Sequence, residues 1–200
     1  LKQNRNDVTI LATAAITFSK KLLAQALGPG DAAVDATAGN GNDAVFLAGL
    51  VGPGGVVHCF DIQAEALTRT RARLEDAGLL QAARLYATGH EHLGDALPEA
   101  QRGRIKAVVF NLGFLPGGDA SVVTRPETTL AALDASRELL DPGGVISVVC
   151  YTGHPGGLAE AQGVQAWCEA LDFAAWRAAR YELANKPGHA IRLFFVEKRG

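Results

Sequence analysis

Ala32-Ala33-Val34-Asp35-Ala36-Thr37-Ala38-Gly39-Asn40-Gly41-Asn42-Asp43 decides the fold. Its first residues, 32–37, are an apolar run with the length of a buried strand. A glycine turn follows, and 42–51 return to helical composition. Strand, glycine turn and helix in this order open a βαβ unit. Outward from it, 55–62 (GVVHCFDI) reads as a second strand and 63–77 as a charged amphipathic helix. Further strands are expected at 82–87, 105–112 (IKAVVFNL) and 144–151 (GVISVVCY), with helices at 126–140 and 157–171. Upstream, 8–27 spaces Ile10, Leu11, Ala14, Ile16, Phe18, Leu22 and Leu23 as a helix would, and stops at Gly28-Pro29-Gly30. Downstream the alternation breaks. Residues 175–183 and 189–197 (HAIRLFFVE) both look extended, and Asn185-Lys186-Pro187-Gly188 between them is a hairpin turn. The pattern predicts an α/β protein: a doubly wound, mostly parallel sheet with helices on both faces, closed by a C-terminal antiparallel hairpin.

The chain of 200 residues fits one domain, 1–200, with 1–27 as an N-terminal helical segment. An apolar fraction of 48% against 20% charged residues excludes a disordered chain. A net charge of −2 argues against holding nucleic acid by bulk charge. Cys59, Cys150 and Cys168 are scattered and form no metal-ligand spacing, so no metal is expected and a reducing, cytoplasmic setting is. No apolar run reaches membrane-spanning length, and the N-terminus lacks a signal-peptide pattern. Lys20-Lys21, Arg102, Arg104, Lys106 and Arg125 suit phosphate contacts, though a solvated face explains them equally well.

In an open α/β sheet, ligands bind beyond the carboxyl ends of the strands. Gly39 and Gly41 allow a tight turn and close approach of backbone to ligand. Asp61, twenty residues beyond Gly41 at the end of the second strand, can accept the hydroxyl protons of a ribose. Gly39-x-Gly41-x-x-Ala44 also satisfies a loose dinucleotide pattern. A pyrophosphate, however, needs N–H donors and no nearby anions. Asp35 and Asp43 flank this turn and favour a cationic or zwitterionic ligand, such as S-adenosylmethionine with its ammonium, sulfonium and ribose. The plainer alternative is a helix start capped by Asn and Asp.

The second informative stretch is Phe110-Asn111-Leu112-Gly113-Phe114-Leu115-Pro116-Gly117-Gly118-Asp119. A strand ends in a polar residue, then a glycine-rich loop carries an aromatic. Amine-methylating enzymes of this architecture use such a residue to orient the substrate nitrogen, with the aromatic against the substrate. The alternative is a surface turn. Gly89-His90, after the third strand, suits the border of an adenine, though a surface or capping histidine explains it equally well. Tyr151-Thr152-Gly153-His154-Pro155-Gly156-Gly157 ends the fifth strand, where His154 suits a substrate or proton contact and a structural turn equally.

Taken in order and spacing, DATAGNGND, FDIQ, NLGFLPGGD and YTGHPGG resemble the putative rRNA methylase family of class I S-adenosylmethionine-dependent methyltransferases. The resemblance runs from about Thr13 to the last strand. It implies a Rossmann-like domain with a seven-stranded sheet and S-adenosylmethionine as cofactor. It further implies methylation of 5-aminomethyl-2-thiouridine at the tRNA wobble position, with the anticodon stem-loop as partner. By position, Asp35, Gly39, Asn40, Gly41, Asn42, Asp43, Asp61, Gln63, Gly89 and His90 would surround the cofactor. Phe114 and Tyr151 would meet the substrate, Asn111 would orient its amine, and Asp119 or His154 would take its proton. This chain has Asn42, Gly89 and Thr152 where relatives commonly carry histidine, serine and histidine. Alternative readings are an rRNA or small-molecule amine methyltransferase, an NAD-binding oxidoreductase, or a non-catalytic RNA-binding module. A homodimer is left open.

Overall fold

A computed structural model describes residues 10–185 and 191–200, with side chains from residue 14. The strands are β1 (Ala32–Asp35), β2 (Val56–Phe60), β3 (Ala83–Tyr86), β4 (Ile105–Leu112), β5 (Leu140–Tyr151), β6 (Trp176–Tyr181) and β7 (Ile191–Lys198). They form one seven-stranded sheet in the order β3-β2-β1-β4-β5-β7-β6. The first five strands pair in parallel, and β7 runs antiparallel to both β5 and β6. The class expected from the sequence is the one observed. Lys186, Pro187 and Gly188 of the expected hairpin turn, and the side chains of Ile10 and Leu11, lie outside the described residues.

The helices are α1 (Ile10–Ala26), α2 (Asn42–Val51), α3 (Ala64–Asp76), α4 (Leu93–Ala96), α5 (Pro126–Leu139) and α6 (Gly157–Glu169). Leu23 and Leu27 at the end of α1, with α2 and α3, pack on one sheet face with Ala33, Val57, Cys59, Ala107 and Val109. Leu93, Leu97, Ala132, Leu133, Ala161 and Val164 cover the other with Val34, Phe60, Val108, Phe110 and Ile146. The central strands are therefore apolar on both faces, which is why they read as continuous runs and not as alternation. The edge strands β3 and β6 are short and carry exposed Arg84 and Arg180, which discourages further pairing.

Two details depart from the sequence expectation, and a third segment is not assigned by it. The inner stripe of α1 is Ala15, Ser19 and Leu23, while Phe18 is 44% exposed. Small residues let α1 approach the sheet closely enough for the Ser19 and Ser147 hydroxyls to hydrogen-bond at 2.6 Å. Strand β5 begins at Leu140, directly after α5, with an irregular register before Ala107 pairs with Val145. Residues 90–101, which carry no clear period, hold 3-10 turns at His90–His92 and Glu99–Gln101 around the short α4.

Candidate active site

The sheet order reverses between β1 and β4, and a cleft of about 800 Å³ opens beyond the strand ends there. Ala36 to Asn40, Asp61 to Gln63 and Gly89 to Glu91 form its cofactor side. Asn111, Gly113 to Pro116, Ser121 to Arg125 and Tyr151 form the opposite wall, and α1 contributes Ile16 and Lys20.

The glycine turn is built from backbone. Gly41 precedes α2 at φ 77°, and no side chain caps the helix. The capped-helix alternative is thus not the arrangement adopted. Its amide donates to the Ala38 carbonyl at 2.8 Å. Asp61 holds the turn from the side: Oδ2 accepts from the Gly39 amide and Oδ1 from the Gln63 amide, each at 2.9 Å. Gly41 itself lies behind the cleft against α3, so its part is to shape the turn.

Asp35 is fully buried and also stands behind the lining. Its Oδ1 accepts from the Thr37 amide at 3.2 Å, while Oδ2 has no hydrogen-bond partner. Burial, with the charges of Asp43 and Asp61, pushes its carboxyl up to about 8 from an ordinary 3.8. His90 is buried, its ring edge meets Phe110, and its Nε2 has no partner; burial pushes it below the ordinary histidine range.

Asp43 is engaged differently from the sequence expectation. Oδ1 pairs with Lys20 at 3.0 Å, and Oδ2 accepts from Asn111 Nδ2 at 2.7 Å. The Asn111 backbone N–H donates to Thr37 Oγ1 at 2.7 Å. Asp43 therefore spends one oxygen on Lys20 and the other on Asn111, the residue expected to face the acceptor. Because an ionised carboxylate only accepts, it turns the Asn111 NH₂ inward and leaves Oδ1 as the amide's remaining acceptor.

The loop after β4 is anchored from behind. Phe114 bridges to Val123, and the Thr124 amide donates to the Gly113 carbonyl at 2.9 Å. The Thr124 and Thr129 hydroxyls each donate at 2.7 Å to Glu160, a buried carboxyl that burial pushes above the ordinary range. The periodicity of α6 carried a signal for it. Gly157, Glu160, Ala161 and Val164 share the buried stripe, where a carboxyl needs partners. Phe114 is 47% exposed and meets the His154 ring edge-on at 6.2 Å. His154 Nδ1 donates to the Pro155 carbonyl at 3.0 Å, and Nε2 is buried without a partner, outside the cleft lining. Tyr151 lines the cleft, its hydroxyl pushed up by burial and by Asp43. Asp119 is not brought to the site. It is exposed, accepts from the Ser121 amide and hydroxyl, and is held below the ordinary carboxylate range by them. Sequence reasoning offers Lys20 to phosphates or to a solvated face, not to Asp43, and does not single out Glu160.

A family model described as putative rRNA methylase matches residues 57–197. The chain belongs to that family. A chloroplastic tRNA (mnm(5)s(2)U34)-methyltransferase of Arabidopsis thaliana is 37% identical over 182 residues, covering 87% of this chain and 66% of its own length. The crystal structure of a putative rRNA-methylase from Clostridium thermocellum superposes with a TM-score of 0.87 at 38% identity, covering 92% of this chain and 97% of that one. A putative methyltransferase of Streptococcus mutans in complex with SAH gives 0.82 at 35% identity with the same coverage. This family member is an S-adenosylmethionine-dependent methyltransferase with the class I fold, and S-adenosylmethionine is its cofactor. The dinucleotide alternative is set aside. Among the described residues no helix is long and apolar enough to cross a membrane, and no group of side chains could hold a metal.

The residues fit that cofactor. The orphaned Asp35 oxygen, just behind the lining, would offer its ammonium a buried partner through water, and Asp61, just beyond the end of β2, would face its ribose. The raised Asp35 has two consequences. Since its folded pKa lies above the unfolded one, it weakens the fold progressively as pH rises from about 4 to about 8. Conversely, meeting an ammonium requires Asp35 to ionise. S-adenosylhomocysteine affinity is expected to rise by up to ~tenfold per pH unit towards pH ~8 and level off above it. Calorimetric titration across that range checks this, and Asp35→Asn abolishes the slope. A flat affinity in the unmodified protein would refute the ammonium role.

Proposed function

We propose that this protein methylates the primary amine of 5-aminomethyl-2-thiouridine at the tRNA wobble position, giving the methylaminomethyl nucleoside. The observation that carries the amine chemistry is the locked Asn111 amide, whose Nδ2 is committed to Asp43 at 2.7 Å. The remaining Oδ1 can accept an N–H and thereby direct the nitrogen lone pair. The tRNA substrate rests on the similarity to the Arabidopsis tRNA methyltransferase and on the family motifs.

The bound cofactor supplies an electrophilic methyl group. The chain's own work is to present a neutral, oriented amine. Lys20 compensates the Asp43 charge at 3.0 Å, so that carboxylate does less to hold the amine as ammonium. Phe114 and Leu115 give the acceptor side apolar surface, which further disfavours the charged form. Of the expected bases, Asp119 takes no part in this reading. His154, behind Phe114 and Gly113, is the nearer reserve acceptor for the released proton. A homodimer gains no support from the fold or the relatives.

The test is transfer of labelled methyl to three pools, namely tRNA carrying the aminomethyl nucleoside, total rRNA and a mixture of small amines. The expected result is label in tRNA alone, with nucleoside mass spectrometry identifying the methylaminomethyl product. Label confined to rRNA, or to the small amines, would overturn the assignment.

A further inference from the structure

One side chain outside the cleft lining joins its two walls. Arg69 stands on α3, one turn beyond Glu65, with its side chain about one-third exposed (32%). Its Nη1 donates to Asn40 Oδ1 at 2.9 Å and to the Pro116 carbonyl at 3.3 Å. Its Nη2 donates to the Gly117 carbonyl at 3.2 Å and to the Glu65 carboxylate. Asn40 Nδ2 reaches the same Pro116 carbonyl at 3.2 Å. Asn40 belongs to the cofactor turn and Pro116 to the acceptor loop, and both line the cleft. The two segments lie 76 residues apart in sequence.

A guanidinium presents five N–H donors in a rigid fork and no acceptor. Here the fork spans acceptors from α3, the glycine turn and the acceptor loop. The Asn40 amide is committed at both ends, Oδ1 to Arg69 and Nδ2 to Pro116. Asn40 and Arg69 together therefore hold Pro116 and Gly117, next in the chain to Phe114 and Leu115. By contrast, a plain helix-surface ion pair with Glu65 would need only one end of the fork.

We propose that Arg69 is a positioning residue that couples the acceptor loop to the cofactor turn, so that filling the cofactor side orders the wall that receives the amine. This rests on the cofactor assignment and not on the identity of the acceptor. The coupling is reciprocal, because an ordered acceptor loop equally steadies the cofactor turn.

Hydrogen–deuterium exchange of the full chain with and without S-adenosylhomocysteine tests it. In the unmodified protein the ligand slows exchange at 39–44 and also at 115–122. In Arg69→Ala the protection at 39–44 persists, while the ligand-induced protection at 115–122 falls by about fivefold. Arg69→Lys does not restore it, because an ammonium keeps the charge but not the fork. Equal loop protection in Arg69→Ala, or full rescue by lysine, overturns the proposal. So does protection confined to 39–44 in the unmodified protein. Absence of protection at both segments would bring down the cofactor assignment and the coupling with it.

Discussion

Asn111→Ala lowers kcat/KM for methyl transfer by about 10²-fold, while S-adenosylhomocysteine affinity and thermal stability stay close to those of the unmodified protein. The reason lies in how the side chain is held. Asp43 accepts from Nδ2, Thr37 accepts from the backbone amide, and Lys20 fixes Asp43 from α1. The amide is pre-oriented before the acceptor arrives, so its loss costs alignment and not only one hydrogen bond. None of these contacts passes through Asp61 or Gly39, which hold the cofactor side. The effect therefore falls on the transfer step. Steady-state kinetics on the modified tRNA, with calorimetric binding of S-adenosylhomocysteine as control, measure the split. An unchanged kcat/KM would remove Asn111 from the mechanism.

Gly41→Ala is expected to weaken S-adenosylhomocysteine binding by at least ~tenfold and to lower Tm by several degrees. Gly41 adopts φ 77°, where an L-residue costs about 1–2 kcal/mol. An added Cβ would also lie 2.8 Å from the Thr70 Cα, which is backbone of α3 and cannot rotate away. Relief requires α2 and α3 to separate, and that moves Asn40 and the amide that donates to Asp61. Gly49→Ala is the control. That glycine lies inside α2 with nothing within 4 Å of the added carbon, so alanine there stabilises by up to ~1 kcal/mol. Differential scanning fluorimetry with and without ligand reads both variants. Wild-type ligand affinity in Gly41→Ala would show that the turn does not shape the site.

The strands were legible because parallel strands buried on both faces leave continuous apolar runs, as in Ile105–Leu112. The glycine turn, Asp61 and the Asn111 loop were legible because their residue types are tied to backbone geometry at strand ends. Asp43 was read with the cofactor, since an acid beside the turn looks like a partner for a cation. Which of its neighbours it meets depends on Lys20, which arrives from a helix far upstream. Arg69 is one charge among several on the amphipathic helix 63–77, and its i,i+4 pair with Glu65 would account for it locally. Asp119 looked like a base because it closes the acceptor motif, yet its own turn captures its carboxylate through Ser121.

Local sequence thus determined the strand–turn–helix frame, the backbone-shaped cofactor turn and the identity of the acceptor loop, because each is specified by residues within a few positions of one another. Tertiary structure alone decided which charges are compensated, which carboxyl is left buried with a free oxygen, and how the two walls of the cleft are joined. Those outcomes depend on desolvation and on contacts between segments dozens of residues apart, such as Lys20 with Asp43 and Arg69 with Pro116.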